Sequence, residues 1–253
     1  MLKTRVIPCL LLDNGRLVKT VNFKKPYYIG DPVNAIKIFN EKEVDELILL
    51  DITATKENKP PPFDIIETVS EECFMPLTYG GGVKTIDDMR RIFSLGVEKI
   101  SLNSVVAENP QLVEESSAMF GSQSIVVSMD VKKNFFGKYC VYYHSGTRPL
   151  KQDIVEYAQR MEKKGAGEIL LNSIHNDGKM AGYDISLIKT IVESISIPVI
   201  VLGGAGSMAD IVDAVNIGGA SAVAAGSFFV YQAKNMGVLI NFPSRKEIEN
   251  RLK

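Results

Sequence analysis

One aspartate, two glycine-rich turns and four spaced charges hold most of the chemistry this sequence offers. Asp130 ends the apolar run SIVVSMD (124–130). A carboxylate at the C-terminal tip of a buried strand is placed to give or take a proton. The turns YGGG (79–82) and LGGAG (202–206) each follow an apolar run and precede an amphipathic stretch. Gly81, Gly82, Gly203 and Gly204 let the backbone approach an anion, and the helix that follows adds donors and a favourable dipole. The next runs end in Asn103–Ser104 and Gly226–Ser227, again where a strand gives way to a helix. Each pair of adjacent loops predicts one phosphate cradle, hence a small ligand phosphorylated at both ends; the plain alternative is a set of tight turns. Asp177 and Gly178, in HNDGKMAG (175–182), fall near the second cradle.

The paired cradles reflect repetition. MPLTYGGGVKTIDDM (75–89) matches IPVIVLGGAGSMADI (197–211), ELILLDI (46–52) matches EILLNSI (168–174), and GVEKISLNS (96–104) matches GASAVAAGS (219–227). A doubled half-barrel accounts for this. In the same overlay VIPCLL (6–11) falls on IVVSMD (125–130), so Leu11 stands where the second half has Asp130. Two aspartates would straddle a symmetric bisphosphate as an acid–base pair, and one is missing. Asp13 is near, but strand alternation does not extend into the following loop, so it is not counted as a replacement.

Alternation also predicts what lies beneath. Steps of two lead from Leu11 to Arg5, from Asn103 to Lys99, from Asn172 to Glu168 and from Leu50 to Glu46. Two cations and two anions then share the N-terminal mouth of the barrel, and buried charges must pair. A closed ring of alternating sign is expected, either as a structural plug or as a gate.

These side chains need a scaffold that aligns strand ends. Apolar runs at 5–12, 46–52, 75–79, 98–103, 124–130, 168–173, 197–202 and 221–226 read as strands buried on both faces, hence a parallel sheet. Helices are predicted at 32–43, 63–72, 86–95, 109–119, 152–164, 184–194 and 207–216, with a last one near 245–252. Eight βα units at about 30 residues each fill 253 residues as one (β/α)8 TIM barrel, with half-barrels at about 1–120 and 121–253. The long connections are 13–31 and 131–150, and NFFGKYCVYY in the second predicts a small hairpin. KPPP (59–62) reads as a stiff loop and NFPS (241–244) as a link before the last helix.

Formal net charge is −1, which argues against nucleic acid as the main partner. The apolar start MLKTRVIPCLLL is too short for a signal peptide or a membrane span, so the expected setting is cytoplasmic. Cys9, Cys73 and Cys140 are scattered without metal-ligand spacing, so reduced thiols, no metal site and no cofactor are expected. His144 reads as a surface side chain, His175 as one that could face the site, and Met89 and Met161 as packing.

From Met1 to about Val230 the chain resembles the cyclase subunit family of imidazole glycerol phosphate synthase. RVIPCL, GDPVNA, DELILLDITA, GGG, NS, FGSQSIVVSMD, GAGEILLNSI, DG with GYD, and SIPVIVLGGAG carry the resemblance. It implies a barrel that receives ammonia from a glutaminase subunit in a heterodimer. The ammonia attacks an intermediate with two phosphates, giving imidazole glycerol phosphate and a carboxamide ribotide. The family's chemistry rests on two aspartates at the tips of strands 1 and 5; Asp130 matches the second and Leu11 replaces the first. Lys19 matches a family lysine in the flexible first loop, and the resemblance implies that it is catalytic beside Asp130. The family's SIDRDGT reads SIHNDGK here, so His175, Asn176 and Lys179 depart from it while Asp177 and Gly178 keep it. Matching residues imply that Arg5, Glu46, Lys99 and Glu168 gate an ammonia passage, and that Glu98 lies on the glutaminase docking face.

A kept gate with a broken aspartate pair points to a paralogue that transfers ammonia without cyclising. Chains of this kind occur beside a glutaminase and an N-acetyl-sugar amidotransferase that makes acetamidino sugars for surface glycans. The alternatives are a true histidine-biosynthesis cyclase (a lyase) and a non-catalytic scaffold that activates the glutaminase. An isomerase of the same doubled type is weaker, since it also wants two acid–base residues. The tail from Phe228 departs most from the family and is a candidate surface for the third partner.

Overall fold

Strands that are apolar on both faces need cover on both, and closing the sheet on itself supplies one of them. The computed structural model describes residues 4–232 and 237–252. Its strands are β1 (Arg5–Asp13), β2 (Arg16–Lys19), β3 (Tyr27–Gly30), β4 (Leu47–Asp51), β5 (Leu77–Gly80), β6 (Lys99–Leu102), β7 (Ile125–Lys133), β8 (Tyr139–Tyr143), β9 (Arg148–Pro149), β10 (Glu168–Ser173), β11 (Val199–Leu202) and β12 (Ala222–Ala225). Eight of them run parallel in the order β1-β4-β5-β6-β7-β10-β11-β12, and β12 returns to β1 to close the barrel.

Helices α1 (Pro32–Glu41), α2 (Phe63–Glu72), α3 (Ile86–Ser94), α4 (Ser104–Glu108), α5 (Gln111–Phe120), α6 (Ile154–Lys163), α7 (Ile185–Val192), α8 (Met208–Asn216), α9 (Ser227–Val230) and α10 (Arg245–Arg251) connect or follow the strands. Side-chain caps from Asp31, Thr85, Asp153, Asp184 and Ser207 start the longer ones by accepting from backbone N–H groups that would otherwise be orphaned. Two cores result. The outer one, between strands and helices, holds Phe39, Met89, Tyr157 and Met161. The inner one fills the barrel with Ile7, Cys9, Ile48, Val126, Leu170, Ile200, Ala222 and Ala224.

The eight barrel strands and the longer helices stand where sequence periodicity places them. The short helices α4 and α9 were not expected. They occupy equivalent places in the two halves, and their caps Asn103 and Gly226 share similar backbone angles (φ −127°, ψ −86° and φ −105°, ψ −74°). Both long connections are antiparallel ribbons that continue a barrel strand, β2–β3 on β1 and β8–β9 on β7. One expectation is corrected here. Lys19 is not in a flexible loop: it ends β2, is 5% exposed, and its ammonium donates to the Cys9 carbonyl at 3.2 Å. The last helix follows the Asn241–Ser244 link; the tail residues 233–236 lie outside the described residues.

Gly167 brings β10 in beside the 3-10 turn at Ser122–Ser124: a Cβ there would lie 2.0 Å from the Ser122 carbonyl oxygen. Gly167→Ala is therefore expected to lower stability by about 1–3 kcal/mol, read as a lower urea midpoint with an unchanged slope.

Candidate active site

The floor of the barrel is a closed ring of charge. The Arg5 guanidinium donates to Glu46 at 2.5 Å and to Glu168 at 2.5 Å. The Lys99 ammonium donates to Glu46 at 3.1 and 3.2 Å and to Glu168 at 2.9 Å. The four residues enter from β1, β6, β10 and the residue before β4; one inward step above them stand Ile7, Ser101, Leu170 and Ile48. Thr78, absent from the sequence reading, donates to Glu46 at 3.0 Å and completes its coordination. Burial opposes the Arg5 charge, but the carboxylates of Glu168 and Glu46 outweigh it and hold its pKa above the ordinary value. Glu98 is exposed on the same floor, where it accepts from the Leu77 N–H at 2.6 Å.

Above the ring lies the inner apolar core, and above that a cavity of about 410 Å³ opens at the strand tips. One side of it is apolar: Leu11 and Leu50, paired in register on β1 and β4, with Leu202 and Phe23. The other side is polar and centres on Asp130. Its carboxylate accepts from Asn103 Nδ2 at 3.1 Å and from Asn172 Nδ2 at 3.3 Å, and Asn172 is its register partner on β10. Burial pushes the Asp130 pKa up to about 7, Asn172 and Asn103 pull it down, and Asp177 adds to the rise. A carboxyl poised there can hold or release a proton near neutrality. Burial pushes the Cys9 thiol up to about 12, which makes it a packing group and not a nucleophile.

Asp13 does not replace the missing partner. It accepts from Thr53 Oγ1 at 2.6 Å and is not among the cavity-lining residues. Asp51 does line the cavity, but its Oδ1 is taken up by the N–H groups of Thr53 and Ala54 at 2.7 and 3.0 Å.

The first cradle is brought together: Gly81, Gly82, Asn103 and Ser104 all line the cavity. Asn103 turns its amide toward Asp130 and the Ser128 carbonyl, a role that the turn pattern did not signal. The second cradle is covered. Asp177 lines the cavity, whereas Gly178, Gly203, Gly204, Gly226 and Ser227 do not. The β2–β3 ribbon lies over it: the Thr20 hydroxyl donates to Asp177 at 3.4 Å, and a Cβ on Gly226 would sit 1.8 Å from Lys19 Nζ. The glycines also have packing reasons of their own. A Cβ on Gly81 would lie 2.4 Å from the Asp51 carbonyl, and one on Gly204 would lie 2.1 Å from the Gly182 carbonyl.

His144 is not a plain surface residue. It is half-buried in the cavity wall, its N–H donates to Ser104 Oγ at 3.0 Å, and its Nε2 meets Glu108 at 3.0 Å. His175 is exposed and does not line the cavity. Among the described residues no His, Cys, Asp and Glu cluster is placed to hold a metal, and no helix is long and apolar enough to cross a membrane.

Comparison with known proteins gives the family of the chain. The family model described as "Histidine biosynthesis protein" matches residues 5–235. A Pseudomonas aeruginosa protein, named "Putative imidazole glycerol phosphate synthase subunit hisF2", is 50% identical over 249 residues, 98% of this chain and 99% of that one. A similarly named hisF3 of Vibrio vulnificus is 47% identical, covering 100% and 97% of the two chains. A Leptospira interrogans protein, named "Putative imidazole glycerol phosphate synthase subunit HisF", is 46% identical, covering 98% of each chain.

Two outcomes follow from the charges. An unfolded aspartate titrates at about 3.9, and Asp130 in the fold at about 7. The native state therefore holds a proton that the unfolded chain has lost, and stability falls as pH rises through that window. Asp130→Asn is expected to melt above the wild type at about pH 8, with the gap closing near pH 4, at roughly 2–4 °C for each kcal/mol relieved. Arg5→Met leaves Glu46 and Glu168 with one cation between them and is expected to cost about 3 kcal/mol. Adding Glu46→Gln should recover part of that loss in a double-mutant cycle.

Proposed function

The chain belongs to the histidine biosynthesis protein family as a relative of the imidazole glycerol phosphate synthase cyclase subunits, and from that membership we propose that it is the ammonia-receiving synthase subunit of a two-component glutamine amidotransferase. A glutaminase subunit docks on the N-terminal floor, around Glu98. Ammonia enters through the ring of Arg5, Glu46, Lys99 and Glu168. The observation that carries this reading is the closed ring directly beneath an apolar core. Taking an ion into such a medium costs on the order of 20 kcal/mol in the ideal case, so the interior passes neutral ammonia and refuses ammonium.

At the top, Asp130 is the acid–base residue, and the first cradle of Gly81, Gly82, Asn103 and Ser104 holds one phosphate. Asp177, Gly178, Gly203, Gly204, Gly226 and Ser227 hold a second when the β2–β3 ribbon lifts Lys19 away. The favoured role is supply of nitrogen to an N-acetyl-sugar amidotransferase that makes acetamidino sugars for surface glycans, because the apolar wall at Leu11 removes half of a two-carboxylate mechanism. A second reading, cyclisation in histidine biosynthesis, is favoured by Asp130's readiness to exchange a proton near neutrality.

Ring closure assayed with ammonium salts, bypassing the glutaminase, separates the two. The favoured role predicts turnover lower by on the order of 10²–10⁴ than a two-aspartate cyclase, and a rise of at least about tenfold on Leu11→Asp. Normal turnover with Leu11 in place, abolished by Asp130→Asn, would establish the second reading.

A further inference from the structure

We propose that the ribbon formed by the end of β7 with β8 and β9 is a docking element for an acidic partner protein seated at the rim of the cavity. At its tip Phe135 is 98% exposed and Phe136 89%, with their rings edge to face at 5.6 Å. Adjacent aromatics in solvent are a cost that monomers rarely carry without use, and aromatics anchor protein interfaces. The tip is fixed in advance. Asn134 Oδ1 accepts from the N–H groups of Phe136 at 2.9 Å and Lys138 at 3.0 Å, and the Asn134 N–H donates to the Lys138 carbonyl at 2.8 Å. A rigid tip loses little freedom on binding.

Charge selects the partner. Residues 131–151 contain Lys132, Lys133, Lys138, Arg148 and Lys151 and no Asp or Glu, in a chain of formal net charge −1. Lys132 stacks over Tyr142 at 4.0 Å and Lys133 over Tyr139 at 4.8 Å. Neighbouring residues in a strand point to opposite faces, so the cations stand on both faces of the ribbon. A flat anionic lipid surface meets one face, whereas an acidic cleft that clasps the ribbon meets both. Three carboxylates face the ribbon: Asp153, the cap of α6, lies 3.7 Å from Lys138, Asp184 accepts from the Tyr139 hydroxyl at 2.9 Å, and Glu108 meets His144 at 3.0 Å. Lys132 donates to the Gly146 carbonyl at 3.2 Å, and Lys133 is exposed. His144 and Ser145, on the turn between β8 and β9, line the cavity, so whatever grips the ribbon sits where a product would leave. Docking stands on these observations; its use, receiving nitrogen, rests on the function proposed above.

The test places photoreactive p-benzoylphenylalanine at position 136 of the full chain in its native cells, with the adduct identified by mass. The expected result is one discrete adduct with another protein through an Asp- and Glu-rich peptide, reduced at least fivefold by Lys133→Glu with Lys138→Glu. An adduct with phospholipid, an adduct with a second copy of the chain, or no discrete adduct overturns the proposal, as does flotation on vesicles of 30% phosphatidylserine that is lost in Phe135→Ser/Phe136→Ser. Glutamine hydrolysis by the glutaminase, measured with and without the chain, is independent of the ribbon. An acidic-protein adduct without stimulated hydrolysis would defeat the proposed function alone, and stimulation without the adduct would defeat the docking alone.

Discussion

Buried charges must find partners, and in this barrel four of them find each other. Arg5, Glu46, Lys99 and Glu168 come from four different strand ends and close into one ring on the barrel floor. Removing one member leaves an opposite charge on the floor short of a partner, which is costly. The ring therefore ties the register of β1, β4, β6 and β10 to one another, and every side chain higher on those strands is placed by it. One inward step up, three of these strands present the apolar Ile7, Ile48 and Leu170, and β6 presents Ser101; two steps up stand Cys9, Leu50, Asn103 and Asn172 around the cavity, with Leu11 above Cys9.

The upper end is as asymmetric as the floor is balanced. The halves share element order, short helices after the fourth and eighth barrel strands and antiparallel ribbons, yet one offers a carboxyl held by two amides and the other an isobutyl group. The apolar wall deepens the desolvation that raises the Asp130 pKa. The cradles differ too. The first lies open to the cavity, while the Lys19 ammonium rests against Gly226 of the second. An ammonium in that place would pair with an anion seated on the turn, since the two carry opposite charges.

Much of this was legible in the sequence, because it depends on period alone. Alternation by two is enough to carry Leu11 down to Arg5 and Asn172 down to Glu168, and the internal repeat aligns Leu11 with Asp130 without any contact information. What escaped depends on how distant segments fold over one another. Lys19 read as a loop residue because RLVK is too short to declare itself a strand without β1 beside it. His144 read as surface because its place in the cavity wall comes from the turn between β8 and β9, held by a bond to Ser104 from another unit. The bond from Asn103 to Asp130 escaped, since nothing in a turn motif tells which way an amide will face.

The proposed passage of uncharged nitrogen through the barrel is open to direct measurement. The direct measurement supplies the chain, its glutaminase and its acceptor enzyme with glutamine labelled by ¹⁵N at the amide, against an excess of unlabelled ammonium in the medium. Product that stays rich in ¹⁵N is the expected result, because nitrogen delivered beneath the ring does not mix with the bulk. Product whose label falls to the bulk ratio would contradict it.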